Sequence, residues 1–383
     1  MYPDRVGQCG VFNLGEVGIN MDKTNTVNIK DGAHYAPLGQ SNKVVEPNGF
    51  GFSVAFLDHG HINGQTNGLL QAGATLRYVF DPDPAKVKAF CEKYPQAKVA
   101  QSFAQILADE ATLLVAAAAI PNLRADIGMQ VMQAGKDYFT DKAPFTTLEQ
   151  LAAVKALAAQ TGQKYAVYYA ERLHNEAAWK AGELIAAGAI GRVLQVINLA
   201  PHRLAKSTRP KWFFNKSQYG GILTDIGSHQ VEQFLTYAGA SDAQINFARA
   251  SNLNNADKPE LEDFGEISMT ADNGASFYTR VDWFTCDGQA TWGDGRTFIL
   301  GTEGNIECRK YNDVARQAPA SKVFLTNAQG EQEIDCLGQS NFPYFGQLIL
   351  DCLHRTENAM TQTHVFKAAE LSLRAQLVAD SLN

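Results

Sequence analysis

Between residues 52 and 169 the chain repeats one pattern, a short and mostly apolar run followed by a helical stretch, and few folds accept that rhythm. Runs at 52–57, 75–80, 113–119, 137–140 and 164–169 read as buried strands, being too short for helices. Helices are predicted at 65–72 (stopped by Gly73), 84–94 (opened by Pro84), 102–108, 124–134 (closed by Gly135) and 148–160. Strand and helix alternating this often imply an α/β domain with a parallel, doubly wound sheet. After Tyr169 the rhythm breaks. A helix at 175–187 ends at Gly188, and strand-like runs follow at 193–199, 243–250, 264–270, 276–283, 297–301, 305–308 and 322–325. A helix at 222–237 interrupts them, and helices at 344–354 and 365–382 close the chain. This half reads as an α+β domain with a large, mostly antiparallel sheet, one face of it open.

A length of 383 residues with 45% hydrophobic content suffices for two domains, placed at 51–170 and 171–383, the last helix packing back on the first domain. The net charge of −7 is spread along the chain without a basic block, which disfavours nucleic acid or an anionic membrane as partner. The longest apolar stretch, 113–120, falls short of the ~20 residues a membrane span needs. Six cysteines without CxxC spacing, and a first segment without the pattern of a signal peptide, point to a reducing, cytoplasmic setting. Residues 1–50 are rich in Gly, Asn and Asp and read as an arm. Val6, Val11, Phe12, Leu14, Val17, Ile19 and Tyr35 give it apolar grip on the body or on a partner subunit; the alternative is a disordered tail.

The turn 58–64 lies between the first strand and helix, where a pyrophosphate-binding loop belongs, but the three positions of G-x-G-x-x-G read Asp58, Gly60 and Asn63. Only Gly60 keeps a bare backbone for close approach; His61 and Ile62 follow it toward the helix N-terminus. Asp81 ends the second strand, where a carboxylate accepts hydrogen bonds from ribose hydroxyls and repels a 2′-phosphate. No Arg or Lys follows in Pro82-Asp83-Pro84, so NAD is expected over NADP. Asp141-Lys142 ends the fourth strand, on the edge that forms a ligand crevice; a lysine there could stabilise an oxyanion, or be merely solvated. In the second half, Gly220-Gly221 leads into a helix carrying Asp225 and His229 at i and i+4, one face. His is the natural acceptor of a hydroxyl proton near neutral pH, although a capping Asp and a core His fit the same spacing. His34, His354 and His364 read as structural or solvated, His59 and His61 flank the loop, and no histidine spacing marks a metal site.

Together these residues resemble the glucose–fructose oxidoreductase / inositol dehydrogenase / rhizopine-catabolism (Gfo/Idh/MocA) family over about residues 52–383. Three features carry the resemblance in order: the strand–turn–helix with Asp81 after it; Pro121-Asn122, then Asp141-Lys142, similar to the family's E-K-P element; and Gly220-Gly-Ile-Leu-Thr-Asp225-Ile-Gly-Ser-His229, similar to its G-G-x-x-x-D-x-G-x-H. Ala143 stands where the E-K-P proline would be. The resemblance implies an N-terminal Rossmann domain, a C-terminal domain with an open sheet, and homodimers or homotetramers built through that sheet. It assigns Lys142, Asp225 and His229 to the nicotinamide pocket, Pro121, Asn122 and Asp141 to cofactor contact, and Trp212 to the nicotinamide's side. Expected in consequence is an NAD-dependent oxidoreductase acting on a secondary alcohol of a sugar, cyclitol or sugar acid. His229 would take the proton with help from Lys142, and Asp225 would bind a neighbouring hydroxyl. Tyr169, Arg172, His174, His202, Arg203, Lys211 and Trp212 are expected to shape the substrate pocket. Two alternatives remain on the same site: an NAD-dependent glycosidase with transient redox, and a dinucleotide- or sugar-sensing regulator.

Overall fold

The computed structural model describes residues 31–316 and 318–382. The five predicted N-terminal strands form as β1 (Gly51–Ala55), β2 (Thr75–Phe80), β4 (Leu114–Ala117), β5 (Asp137–Asp141) and β6 (Tyr165–Tyr168); a two-residue strand, β3 (Lys98–Val99), joins them. All neighbours pair in parallel in the order β3-β2-β1-β4-β5-β6. β1, β4, β5 and β6 are buried along their whole length, the reason their sequences run apolar without alternation. Helices α1 (Ile62–Gln71), α2 (Pro84–Lys93), α3 (Phe103–Ala108), α4 (Arg124–Gln133) and α5 (Leu148–Thr161) connect them. Their starts are written in local chemistry: the side chains of Asp83, Ser102 and Thr147 accept from backbone amides of the first turn. The order reverses between β1 and β4, so a crevice opens at their C-terminal ends, where doubly wound sheets bind ligands.

The second half begins with α6 (Ala170–Leu173) and α7 (Glu176–Ala186), the latter capped by Asn175. Its sheet comprises β7 (Val193–Pro201), β8 (Ala243–Ser251), β9 (Phe264–Ala271), β10 (Ser276–Asp282), β11 (Arg296–Gly301), β12 (Gly304–Arg309), β15 (Lys322–Asn327) and β16 (Gly330–Asp335), while β13 (Asn312–Asp313) and β14 (Ala318–Pro319) form a separate ribbon. The order is β16-β15-β12-β11-β7-β10-β9-β8, antiparallel except for the β7–β10 pair. Burial alternates along β9 and β11 because helices cover only one face. Phe247, Phe298 and Leu300 are exposed on the sheet.

The helix expected at 222–237 forms in two pieces, α9 (Ile222–Asp225) and α10 (Gly227–Ala238), after the short α8 (Lys216–Tyr219). β16, Gly-Glu-Gln-Glu-Ile-Asp, was invisible to apolar periodicity; it is a charged edge strand, a composition that discourages further pairing. α11 (Pro343–His354) and α12 (Gln362–Asp380) end the chain. α12 bridges both halves: the Tyr165 amide donates to Gln362 Oε1 (2.8 Å) and the Leu223 amide to Gln376 Oε1 (3.0 Å). The described part of the arm packs on the body. Leu38 and Gly39 amides donate to Glu176 Oε1 and the Val44 amide to the Ala72 carbonyl. The arm's other apolar residues, Val6 to Ile19, lie outside the described residues.

Candidate active site

The loop after β1 answers the electrostatic objection its sequence raises. Asp58, in a glycine's place, turns its Oδ1 to Lys86 Nζ (2.5 Å) and its Oδ2 to the Ile120 amide (3.3 Å), so its charge is offset. Asn63 caps the turn from within, its Nδ2 donating to the Gly60 carbonyl (3.1 Å), and Ile62 is buried in the core. Gly60 is closely approached, as a bare backbone permits: a Cβ there would stand 2.5 Å from the Ala33 carbonyl oxygen and 2.6 Å from the His34 ring. The arm therefore lies over the loop, and His34, expected to be structural or solvated, sits at its centre. Asp81 is nearly buried; its carboxylate accepts from the Leu57 (2.6 Å) and Asp83 (2.8 Å) amides, which fixes its orientation at the end of β2.

Asp141 is the hub of the crevice. It accepts from Arg124 Nη2 (3.2 Å) and from the Lys142 amide (2.8 Å), with Nδ1 of His61 at 2.8 Å and of His59 at 3.0 Å. Burial opposes the anion, but His61, Arg124 and His59 outweigh it and hold the carboxyl well below the usual carboxylate range. His59, His61 and Asp141 offer ligand atoms within 4.8 Å of one another, a grouping that residue spacing did not reveal. Arg124 already supplies the cation this carboxylate requires, so the trio is satisfied as it stands.

Lys142 reaches across to the second domain, where Nζ donates to Asp225 Oδ1 at 2.5 Å; both side chains are almost wholly buried. The Lys142–Ala143 peptide is cis. Asp225, assigned by resemblance to a substrate hydroxyl, thus holds the lysine. His229 follows on α10, across the helix break at Ile226. It is 2% exposed, and its Nδ1 has no hydrogen-bond partner among the described residues. Burial, reinforced by Lys142 and His61 against the pull of Glu171, lowers its pKa to about 3, so the ring is neutral at pH 7.

Lys142, Asp225 and His229 line one cavity of about 50 Å³ with Pro121, Trp212, His174, His202 and Arg203. Gly32, Ala33 and Tyr35 of the arm close it, Tyr35 packing edge-on against Tyr311. Three expected members, Tyr169, Arg172 and Lys211, lie elsewhere. Tyr169 points its hydroxyl to the Val365 carbonyl, and Arg172 is ion-paired with buried Glu232 and lies over Trp179. Their neighbours Tyr168 and Glu171 line the cavity instead. At a strand end, one residue of offset moves a side chain to the other face. Lys211 is exposed, and Asn122 contributes its carbonyl to Gln150 while its Oδ1 is buried and unpartnered.

Residue patterns missed several groups that matter. Arg124, the first residue of α4, was legible only as a helix former. Glu171 accepts at Oε2 from Lys310 Nζ (2.9 Å) and Gln230 Nε2 (2.9 Å) and leaves Oε1 toward His202 Nε2 at 3.4 Å. Arg209, Trp283 and Trp292 also line the wall; Trp283 closes the strand-like run 276–283 just past the end of β10, and Arg209 and Trp292 belong to no periodic element.

Residues 51–169 match the family model for the oxidoreductase family with an NAD-binding Rossmann fold, and residues 179–307 match the GFO/IDH/MocA C-terminal domain. A crystal structure from Erwinia carotovora atroseptica SCRI1043 is 46% identical, covers 86% of this chain and 98% of its own, and superposes with a TM-score of 0.84. Levoglucosan dehydrogenase, solved with NADH and levoglucosan, shares the fold at 16% identity, with 87% and 98% coverage and a TM-score of 0.71. D-xylose dehydrogenase of Paenarthrobacter nicotinovorans is 26% identical over 150 residues, 38% of the length of either protein. With an NAD-binding Rossmann domain and the matching C-terminal domain both in place, the chain belongs to the GFO/IDH/MocA family of oxidoreductases.

Proposed function

We propose that this protein oxidises a secondary alcohol of a sugar, cyclitol or sugar acid, with NAD as hydride acceptor. The observation that carries the proposal is the buried Lys142–Asp225 pair beside a neutral His229 whose Nδ1 is unpartnered, in one cavity at the C-terminal edge of the parallel sheet. A sensor would gain nothing from desolvating such a set. The residues fit the cofactor. Gly60 and the start of α1 offer bare backbone and amides for a pyrophosphate, Asp81 keeps lone pairs for ribose hydroxyls, and Pro121 and Trp212 line the cavity. Ordinary ligand pockets measure ~300–1,000 Å³, so the cavity of about 50 Å³ must open, with Ala33 and His34 withdrawing from Gly60.

NAD, when bound, supplies the hydride acceptor. Everything else falls to the chain. Lys142, its position set by Asp225, donates to the substrate hydroxyl oxygen and stabilises the charge that grows there as the C–H bond breaks. His229 accepts the hydroxyl proton at Nδ1; burial keeps it unprotonated and ready. His174, fixed by its hydrogen bond with the Tyr168 hydroxyl (2.5 Å), and His202 close the substrate side. Replacing Lys142 with Met is expected to lower kcat by ~10²–10⁴-fold on the true substrate; undiminished turnover would remove the lysine from its role. We further infer a cytoplasmic enzyme that assembles as a homodimer or homotetramer through the open sheet face, where Phe247, Phe298 and Leu300 are exposed.

A further inference from the structure

Among the described residues, Arg209 in the cavity wall has no counter-ion within 4.0 Å. Lys142 is matched by Asp225 and Arg124 by Asp141. Arg209 enters from the loop between the turns Lys206–Thr208 and Lys211–Phe214, and its guanidinium lies over the rings of Phe213 (4.7 Å) and Trp283 (5.1 Å). Nε donates to the Leu204 carbonyl (2.8 Å) and Nη2 to the Arg203 carbonyl (3.2 Å), which fixes the fork. Among the described residues Nη1 has no hydrogen-bond partner and no carboxylate stands within 4.0 Å of the guanidinium. Asp31 and Asp225 act on it only at longer range, and Asp225 is already engaged by Lys142. A guanidinium packed over two aromatic rings and without a counter-ion among the described residues is a receptor for an anion the ligand brings.

We propose that Arg209 binds a carboxylate, and that the substrate is a sugar acid rather than a neutral sugar. The proposal rests on the cavity being the site of alcohol oxidation. Its wall also gives the acid a single orientation. Trp283 touches both Arg209, at 5.1 Å, and His202, whose ring centroid lies 5.4 Å from the Trp283 ring. Beyond it stands Glu171, an anion secured by Lys310, with Oε1 unpartnered and its residue 4% exposed. Glu171 repels a carboxylate and accepts from a hydroxyl, so the acid end goes to Arg209 and the polyol end to Glu171 and His202. Trp283 and Trp292 offer ring surface to the sugar's C–H face.

Calorimetry with the full chain and NADH tests this without turnover, using D-gluconate and D-galacturonate as acids, D-glucose and myo-inositol as neutral ligands, and glucose 6-phosphate as a phosphate ester. The acids are expected to bind tighter than their neutral counterparts, and Arg209→Gln to weaken the acids alone by about ten- to hundredfold, with NADH affinity unchanged and Arg209→Lys intermediate. Equal binding of acid and neutral ligands by the unaltered protein, preference for the phosphate ester, no acid binding, or a parallel loss for all ligands in Arg209→Gln would each overturn it. The first three comparisons need no variant to fold. Acid binding without NADH production would leave Arg209 its role and end the oxidation reading; NADH production from neutral sugars alone would do the reverse.

Discussion

Asp225→Asn isolates the ion pair that joins the two domains at the site. Lys142 and Asp225 meet at 2.5 Å with side chains 8% and 11% exposed, so solvent screens the pair little. Asparagine keeps the shape but leaves the lysine's charge buried and unmatched, which costs about 3–5 kcal/mol by the general behaviour of broken buried pairs. Adding Lys142→Met removes the orphan charge, so the double variant should recover a large part of that loss although it lacks two polar groups. Denaturant unfolding of the four proteins at constant salt gives the cycle. The sign with pH is fixed as well. Burial opposes the Asp225 anion, but Lys142 outweighs it and lowers its pKa, so the pair's stabilisation is present above the unfolded carboxylate value of ~3.9 and disappears as pH falls through the lower folded value. The gap between wild type and Asp225→Asn should therefore be full at pH 7 and close only under acid. Equal stability of the two proteins at pH 7, or a double variant weaker than the single by the full cost of Lys142→Met, would refute the reasoning.

Three buried histidines set an acid limit. Burial, followed by neighbouring charges where present, lowers His59, His174 and His229 to about 3 each. Their unfolded values lie near ~6.5, so stability is complete above that pH and is lost as pH falls toward 3; His174→Gln should flatten the slope of unfolding free energy against pH between them, and an unchanged slope would count against a neutral His174. Asp81→Ser should weaken NAD binding more than NADP binding, because the carboxylate that repels a 2′-phosphate is gone while Lys86 stays, 3.9 Å from its place. Fluorescence titration with both reduced cofactors reads it, and an equal loss for both would show that Asp81 acts only on its own loop.

The Rossmann half was legible because burial on both faces writes strands as near-continuous apolar runs, a burial that β1, β4, β5 and β6 have along their whole length, β2 only in part and the exposed β3 not at all. That Lys142, Asp225 and His229 share one cavity was implied by the family resemblance, since their spacing alone equally fits a solvated lysine, a capping Asp and a core His. Asp141's setting was not: His59 and His61 come from the loop after β1 and Arg124 from the start of α4, two segments that only the sheet edge brings to it. Tyr169 was misplaced because a residue at a strand end does not say which face its side chain takes, and Arg172 because it lies on α6, where Glu171, one position away, turns to the cavity instead. Arg209 and Trp292 sit on irregular backbone, where periodicity carries no signal, and Trp283 stands just past β10, where the run gives no side-chain direction. The asparagine and aspartate in the glycine loop, the least typical part of the sequence, proved structurally resolved by Lys86 and an internal cap.

The central claim is that this cavity oxidises an alcohol with NAD through Lys142. Its most direct test is NADH formed per sugar or sugar acid consumed, followed in wild type and in Lys142→Met with a substrate found by thermal-shift screening in the presence of NAD. Wild type should form one NADH for each alcohol oxidised, and Lys142→Met should lose both signals together. Substrate consumed without NADH accumulating, or a Met variant as fast as wild type, would contradict it.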